Sequence, residues 1–340
     1  MSTAHLAYLD GWRGLAITLL LIGHFFPVPG ISLGTMGVNL FFVLSGLLMG
    51  RLLFIRQTPF AQFYRRRIAR IFPAFFVFVA TIVGWYLVSG RPVSWSEVAT
   101  TAVFIRNYFM TVPELTLMPF DHTWSLSVEE HAYVALTLLA WLSRRRLVAA
   151  HWGVLACLAG MVCVGLAYRL MFEGRALGFH LAHSEFAAFG IFVSVLMVLY
   201  FERLSLPSLQ SVLWSGLFGL GAILHWWSVP APIGSMAALA VLALALHLLG
   251  KGPALARQLF EWYPLRQLGL WSYSLYLWQQ PFYRAVHQHE ISAPLGVTLG
   301  IVCGIASYYL VEKPAREYLN RRWDKAVAPS ATAIVHAEAS

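Results

Sequence analysis

The feature that most constrains this sequence is a succession of apolar runs, most of them near 20 residues long, separated by short polar stretches. In helical form about 20 apolar residues cross the hydrocarbon core of a bilayer. No water is present there to satisfy the backbone, so a chain built this way folds as a bundle of spanning helices. Only 11% of its residues are charged, against about 25% in a soluble domain. A soluble fold with 59% hydrophobic residues would leave large sticky patches exposed. The expected class is therefore all-α, a polytopic membrane bundle. Ten crossings are expected, at 8–26, 34–54, 71–89, 124–143, 147–170, 181–203, 208–227, 232–250, 268–285 and 292–312. The shorter run at 98–112, with Glu97, Arg106 and Asn107, reads as an amphipathic or re-entrant helix on the outer face.

The basic residues orient the bundle. With both termini in the cytoplasm, Arg13, Arg51, Arg56, Arg65, Arg66, Arg67, Arg70, Arg144, Arg145, Arg146, Arg203, Lys251, Arg257, Arg266, Lys313, Arg316, Arg321, Arg322 and Lys325 lie inside. Only Arg91, Arg106, Arg169, Arg175 and Arg284 lie outside. This asymmetry follows the positive-inside rule and accounts for the net charge of +9 without nucleic acid, because the cations form no single face. The first run has no small-residue cleavage site behind it and holds Asp10, Arg13 and His24, so it reads as a retained span. Residues 1–315 read as one membrane domain, and 316–340 as a short polar cytoplasmic tail, disordered from about Ala326. Cys157, Cys163 and Cys303 lie within apolar runs and read as packing residues, with no metal-ligand spacing. His287, His289 and Glu290 lack a fourth ligand and read as a solvated loop, so no metal is expected.

Ionisable residues within spans are costly and usually paired or functional. Arg13 and His24 are eleven residues apart, which puts them on one helical face and about 16 Å apart along the axis. Asp10 is one turn from Arg13 and positioned to pair with it. The alternatives are that Asp10 and Arg13 anchor the helix and that His24 is a satisfied core histidine. Arg65, Arg66, Arg67 and Arg70 cluster before the third span. Their forked guanidiniums suit phosphate oxygens, and they equally suit lipid headgroups and topology. Asn39 and Ser45 add polar groups to the second span. In the stretch from His122 to His131, Ser127 and Glu130 have capping-box spacing. That leaves Glu129 close in depth to His24, where a carboxylate orients an imidazole and stabilises its charged form. His183 and Glu185 open another span from outside.

The sequence resembles the bacterial membrane acyltransferase-3 family of O-acyltransferases. The resemblance covers about 5–315 and rests on Leu9-Asp10-Gly11-Trp12-Arg13-Gly14 with His24 beyond, Gly37 to Gly46 including Ser45, the Arg67 and Arg70 pair before Pro73, Trp124-Ser125-Leu126-Ser127-Val128-Glu129, Ser272 to Trp278 including Tyr276, and Val311-Glu312-Lys313-Pro314. The resemblance implies acetyl-CoA or another acyl-CoA as donor. It implies functional roles for His24 and Arg13, and coenzyme contacts at Arg67 and Arg70, with Arg66 beside them. The family often has Asp at position 39, Arg and Asp at 183 and 185, and His at 279, where this chain has Asn39, His183, Glu185 and Gln279. Those departures bear on the acceptor. Many relatives carry an extra extracytoplasmic esterase-like domain. Without one, the acyl group goes directly to a carbohydrate or glycolipid hydroxyl, or to a separate extracytoplasmic transferase. The expected reaction is acyl transfer from a cytoplasmic donor, with His24 as general base or acyl carrier and Glu129 as its orienter. The alternative is a proton-coupled transporter or exporter using Asp10, His24 and Glu129 as a proton path.

Overall fold

The computed structural model describes residues 6–112, 116–201, 210–226, 229–250 and 253–327. Among these the chain is helical throughout, apart from one isolated bridge between Ile31 and Trp226. Helices α1 (Ala7–Phe25), α2 (Leu33–Gly50), α3 (Phe60–Val88), α4 (Trp95–Ala102) and α5 (Trp124–Arg144) form the first half. The second half comprises α6 (Ala150–Met171), α7 (Gly174–His180), α8 (Ser184–Ala187), α9 (Phe189–Phe201), α10 (Gln210–Ile223), α11 (Ile233–Leu249), α12 (Ala254–Glu261), α13 (Tyr263–His287), α14 (Ala293–Ser307) and α15 (Lys313–Val327). Wide π-helical turns extend α2 over Arg51–Ile55 and join α14 to α15 over Tyr308–Glu312.

Each expected crossing overlaps helix among the described residues, though 181–203 is broken between α8 and α9, and residues 202–203, 208–209 and 227 of the expected crossings lie outside the described residues. By length and composition alone, five helical segments are long and apolar enough to cross a membrane, or six counting the bent α11–α12 pair. The shortfall has a physical reason. Helix α10 falls short at 14 residues, whereas α1, α5 and α13 are 19, 21 and 25 residues long, so composition excludes these three. They are the helices that carry Asp10, Arg13 and His24, then Glu129 and Glu130, then Tyr276 and Gln279. The outer faces of the bundle stay apolar: Val88, Leu170, Leu255 and Leu310 are among the most exposed side chains. Such surface is stable against lipid and not against water. Residues 202–209 and 251–252, with Arg203 and Lys251, and residues 328–340 lie outside the described residues. The segment assigned to a tail from residue 316 is helical through Val327.

The run at 98–112 is not one helix. Its first turns belong to α4, and a single 3-10 turn follows at Arg106–Tyr108. Both are held down by buried charge: Arg106 meets Asp121 at 2.6 Å and Glu97 at 3.7 Å, and Glu97 also accepts from the backbone N–H groups of Leu117 and Met118, each at 3.0 Å. The polar residues of this run therefore point inward, not toward an interface.

Helix α1 is the central element and packs against α2 and α13. Its seam with α13 is made of glycine. A Cβ on Gly14 would fall 1.9 Å from the Leu265 carbonyl oxygen, and one on Gly269 would fall 1.8 Å from that of Asp10. Small residues allow this backbone-to-backbone approach, the usual basis of tight helix pairs in membranes. Two apolar cores flank the centre. One gathers Leu40, Leu44, Tyr133 and Phe192, and the other Ile17, Phe75, Phe78 and Leu275.

Candidate active site

Between these cores lies a partly open cavity of about 120 Å³. Its polar wall is built by Arg13 of α1, Ser45 of α2, Arg67 and Arg70 of α3, Ser125 and Glu129 of α5, and Ser272 and Tyr276 of α13. Phe41, Leu48, Met49 and Ile71 supply apolar wall. Residues from five separate motifs thus converge on one space. Arg66 and Arg65 are exposed and do not line it.

The arginines differ in state. Arg13 pairs with Asp10 at 2.9 Å, as their spacing predicts. Arg67 is fully engaged: it meets Glu130 at 2.9 Å and Glu129 at 3.4 Å, and its guanidinium lies 3.6 Å over the Tyr133 ring. Glu129 also accepts from the Ser45 hydroxyl at 2.6 Å. Arg70 has no ion pair among the described residues and faces the cavity. It is the cation best placed to meet an incoming anion.

Two expectations are corrected here. Glu129 does not orient His24; it belongs to the Arg67 and Ser45 network on the cavity wall. Ser127 and Glu130 do not form a capping box either. Ser127 donates to the Thr123 carbonyl, and Glu130 is taken by Arg67. A charge-assisted contact to arginine is stronger than a neutral cap bond, so the ion pair wins.

His24 sits at the C-terminal end of α1, half-buried and stacked on Tyr283 with ring centroids 4.5 Å apart. Its partner is Gln279, fully buried on α13: the His24 Nδ1 and Gln279 Oε1 are 2.9 Å apart. The Gln279 Nε2 group donates to Gln280 Oε1 at 3.2 Å and to the Tyr276 carbonyl at 3.5 Å. With the amide nitrogen committed to acceptors, Oε1 must accept, so His24 Nδ1 carries the proton and Nε2 presents a lone pair. Gly23 brings α2 close beside this ring, since a Cβ there would fall 2.2 Å from Gly34 N.

Tyr276 joins the cavity to the surroundings of His24. Its hydroxyl donates to the His122 carbonyl and accepts from Ser125 Oγ at 2.7 Å. Gln279 is one turn further along the same helix. The other candidate residues lie apart. Asn39 is buried against His225 at 2.9 Å. Trp124 packs edge-on to Phe42, and Trp278 edge-on to Phe78. Glu185 belongs to a separate cluster with Tyr108, Tyr168 and His183. Gln279 was visible beforehand only as a departure from the family pattern. Its contact with His24 spans 255 residues of chain, and no spacing rule reveals that.

A family model described as an acyltransferase domain matches residues 6–312. The chain belongs to the acyltransferase-3 family. It is 29% identical to the "Putative membrane-bound transacylase BcsY" of Komagataeibacter xylinus, over 92% of this chain and 83% of that one. It is 27% identical to the "Putative peptidoglycan O-acetyltransferase YrhL" of Bacillus subtilis and 24% identical to the O-acetyltransferase OatA of Staphylococcus aureus. The chain spans 54% and 58% of the length of those two relatives. No solved structure shows a significant match. The protein is thus a membrane-embedded acyltransferase, and the transport reading of its buried ionisable residues gives way to that.

Proposed function

We propose that this acyltransferase moves an acetyl or other short acyl group from cytoplasmic acyl-CoA to a hydroxyl of a carbohydrate-type acceptor, with His24 as general base. In this reading ten helices cross an inner membrane, both termini face the cytoplasm, and the donor enters from that side. The observation that carries the reading is the Gln279 contact. It leaves His24 Nε2 as an open acceptor at the outer end of the helix whose inner part, through Arg13, lines the cavity.

The donor fits what the cavity offers. Arg70 and Arg13 supply guanidiniums for phosphate oxygens, and the apolar walls suit a thin thioester arm. His24 lies about 16 Å along α1 from Arg13, a distance such an arm can bridge. Holding donor and acceptor in line near His24 converts an encounter between two molecules into one positioned step. His24 Nε2 takes the hydroxyl proton as the acceptor oxygen bonds to the acyl carbon, and the thiolate leaves. The name of the Bacillus subtilis relative, a peptidoglycan O-acetyltransferase, favours a cell-envelope glycan as acceptor, reached directly or through a separate extracytoplasmic transferase.

The test uses membrane vesicles, radiolabelled acetyl-CoA and a glycan-bearing acceptor fraction. Label should pass to the acceptor in wild-type vesicles and not with His24→Ala at equal expression. Accumulation of acceptor inside vesicles without acyl consumption would refute the reading.

A further inference from the structure

His122 is the buried histidine that the account above leaves unused. It sits in the single 3-10 turn Asp121–Thr123 that leads into α5. It is only 5% exposed, and neither ring nitrogen has a hydrogen-bond partner among the described residues. A buried polar ring with both nitrogens unsatisfied is costly and uncommon, and it calls for a ligand or a role. Its placement supplies the role. The ring lies edge-on to Phe78 with centroids 5.6 Å apart and tilted over Tyr276 at 5.1 Å. Phe78 in turn meets Trp278 at 5.5 Å. Tyr276 and Trp278 flank the turn of α13 that ends in Gln279, the residue holding His24. His122 therefore packs on Tyr276, a residue of the cavity wall, and is close enough to His24 to feel its charge.

We propose that His122 is a catalytic hydrogen-bond donor to the acyl oxygen, so that two histidines divide the reaction: His24 moves the proton and His122 holds the developing negative charge. The proposal rests on the acyl-transfer reading given above. The acceptor oxygen bonds to the acyl carbon while its proton passes to His24 Nε2. The carbonyl electron pair moves onto the acyl oxygen, which the His122 N–H holds. The carbonyl then reforms, the carbon–sulfur bond breaks, and the proton on His24 goes to the departing thiolate. Nothing else is consumed.

The electrostatics suit this division. Burial, and then the neighbouring His24, push the His122 imidazole down to about 3, well below the ordinary histidine value. At neutral pH it is an uncharged ring with one N–H, which donates without surrendering its proton. A preorganised donor in a site closed to water is the kind of group that contributes most to acyl transfer. Tyr276 keeps the turn in place by donating to the His122 carbonyl.

The experiment compares wild type, His122→Phe and His122→Gln in vesicles, measuring kcat and the KM for acetyl-CoA, with thermal unfolding of each purified protein. Phe keeps a flat ring without a donor; Gln restores an N–H. Phe should lower kcat about 100- to 1,000-fold with an unchanged donor KM, and its Tm should not fall, because an unsatisfied group has been removed. Gln should recover at least tenfold of that loss. Phe activity within about threefold of wild type, with wild type active, overturns the His122 role alone. So does a joint fall in kcat and Tm that Gln does not rescue. Wild-type vesicles that move no label from acetyl-CoA overturn the donor reading, and the His122 step with it.

Discussion

Replacing Gln279 by leucine tests the site at its most specific contact. The side chain keeps its size, and the 2.9 Å bond to His24 Nδ1 is lost. A neutral hydrogen bond of this kind contributes about 0.5–1.5 kcal/mol, which biases the imidazole tautomer by about two- to tenfold. The ring also loses its orienting partner, and removal of comparable outer partners of functional histidines costs about 10- to 100-fold. The two effects overlap, so kcat should fall by about 10- to 100-fold. Gln279 does not line the cavity, so the KM for the donor should not change. Gln279→Glu retains an acceptor oxygen and should keep more activity than the leucine variant. The assay is initial-rate acetyl transfer from radiolabelled acetyl-CoA in vesicles matched for expression. A leucine variant within twofold of wild type would show that the contact does not position a catalytic base.

Three further outcomes follow from the geometry. His24→Ala should lose about 100- to 10,000-fold in transfer, the usual span for a general base, with an unchanged melting profile; retained activity in the vesicle assay would remove it from the mechanism. Arg67→Ala leaves Glu129 and Glu130 without their cation and should destabilise the protein by about 3–5 kcal/mol, read as a lowered Tm, whereas Arg70→Ala should keep Tm and raise the donor KM. Gly269→Ala places a Cβ 1.8 Å from the Asp10 carbonyl oxygen, so α1 and α13 must part; a cost of about 1–3 kcal/mol and loss of transfer are expected, and a variant with wild-type Tm and rate would contradict the seam.

The bundle was legible because apolar run length reports directly on helices in lipid, and even the loop at 98–112 was recognisable as not spanning. The polar residues Arg13, Ser45, Arg67 and Glu129 were legible one by one, since each is a charge or hydroxyl in or beside an apolar run that needs a reason, while Ser125 and Tyr276 were marked only by the family resemblance. What they do to one another was not. Depth along the membrane placed Glu129 near His24, but depth says nothing about rotation, and α3 brings Arg67 up to that carboxylate from another side. His122 shows the same limit. Its neighbours in sequence made it look like part of a helix start, and only packing shows that its ring is buried without a partner.

The glycine seam between α1 and α13 makes the pair a gauge. Helices in contact through their backbones cannot slide, because one residue of travel is 1.5 Å and would carry Gln279 out of reach of His24. The spacing from Arg13 to His24 is then a fixed length against which the donor is measured. An arm anchored below presents its thioester at one height, whatever acyl group it bears. On the proposed reading a longer acyl chain has to extend past His24 toward the acceptor, not back into the cavity, so chain length would be judged beyond His24 and not by the pocket proposed for the coenzyme.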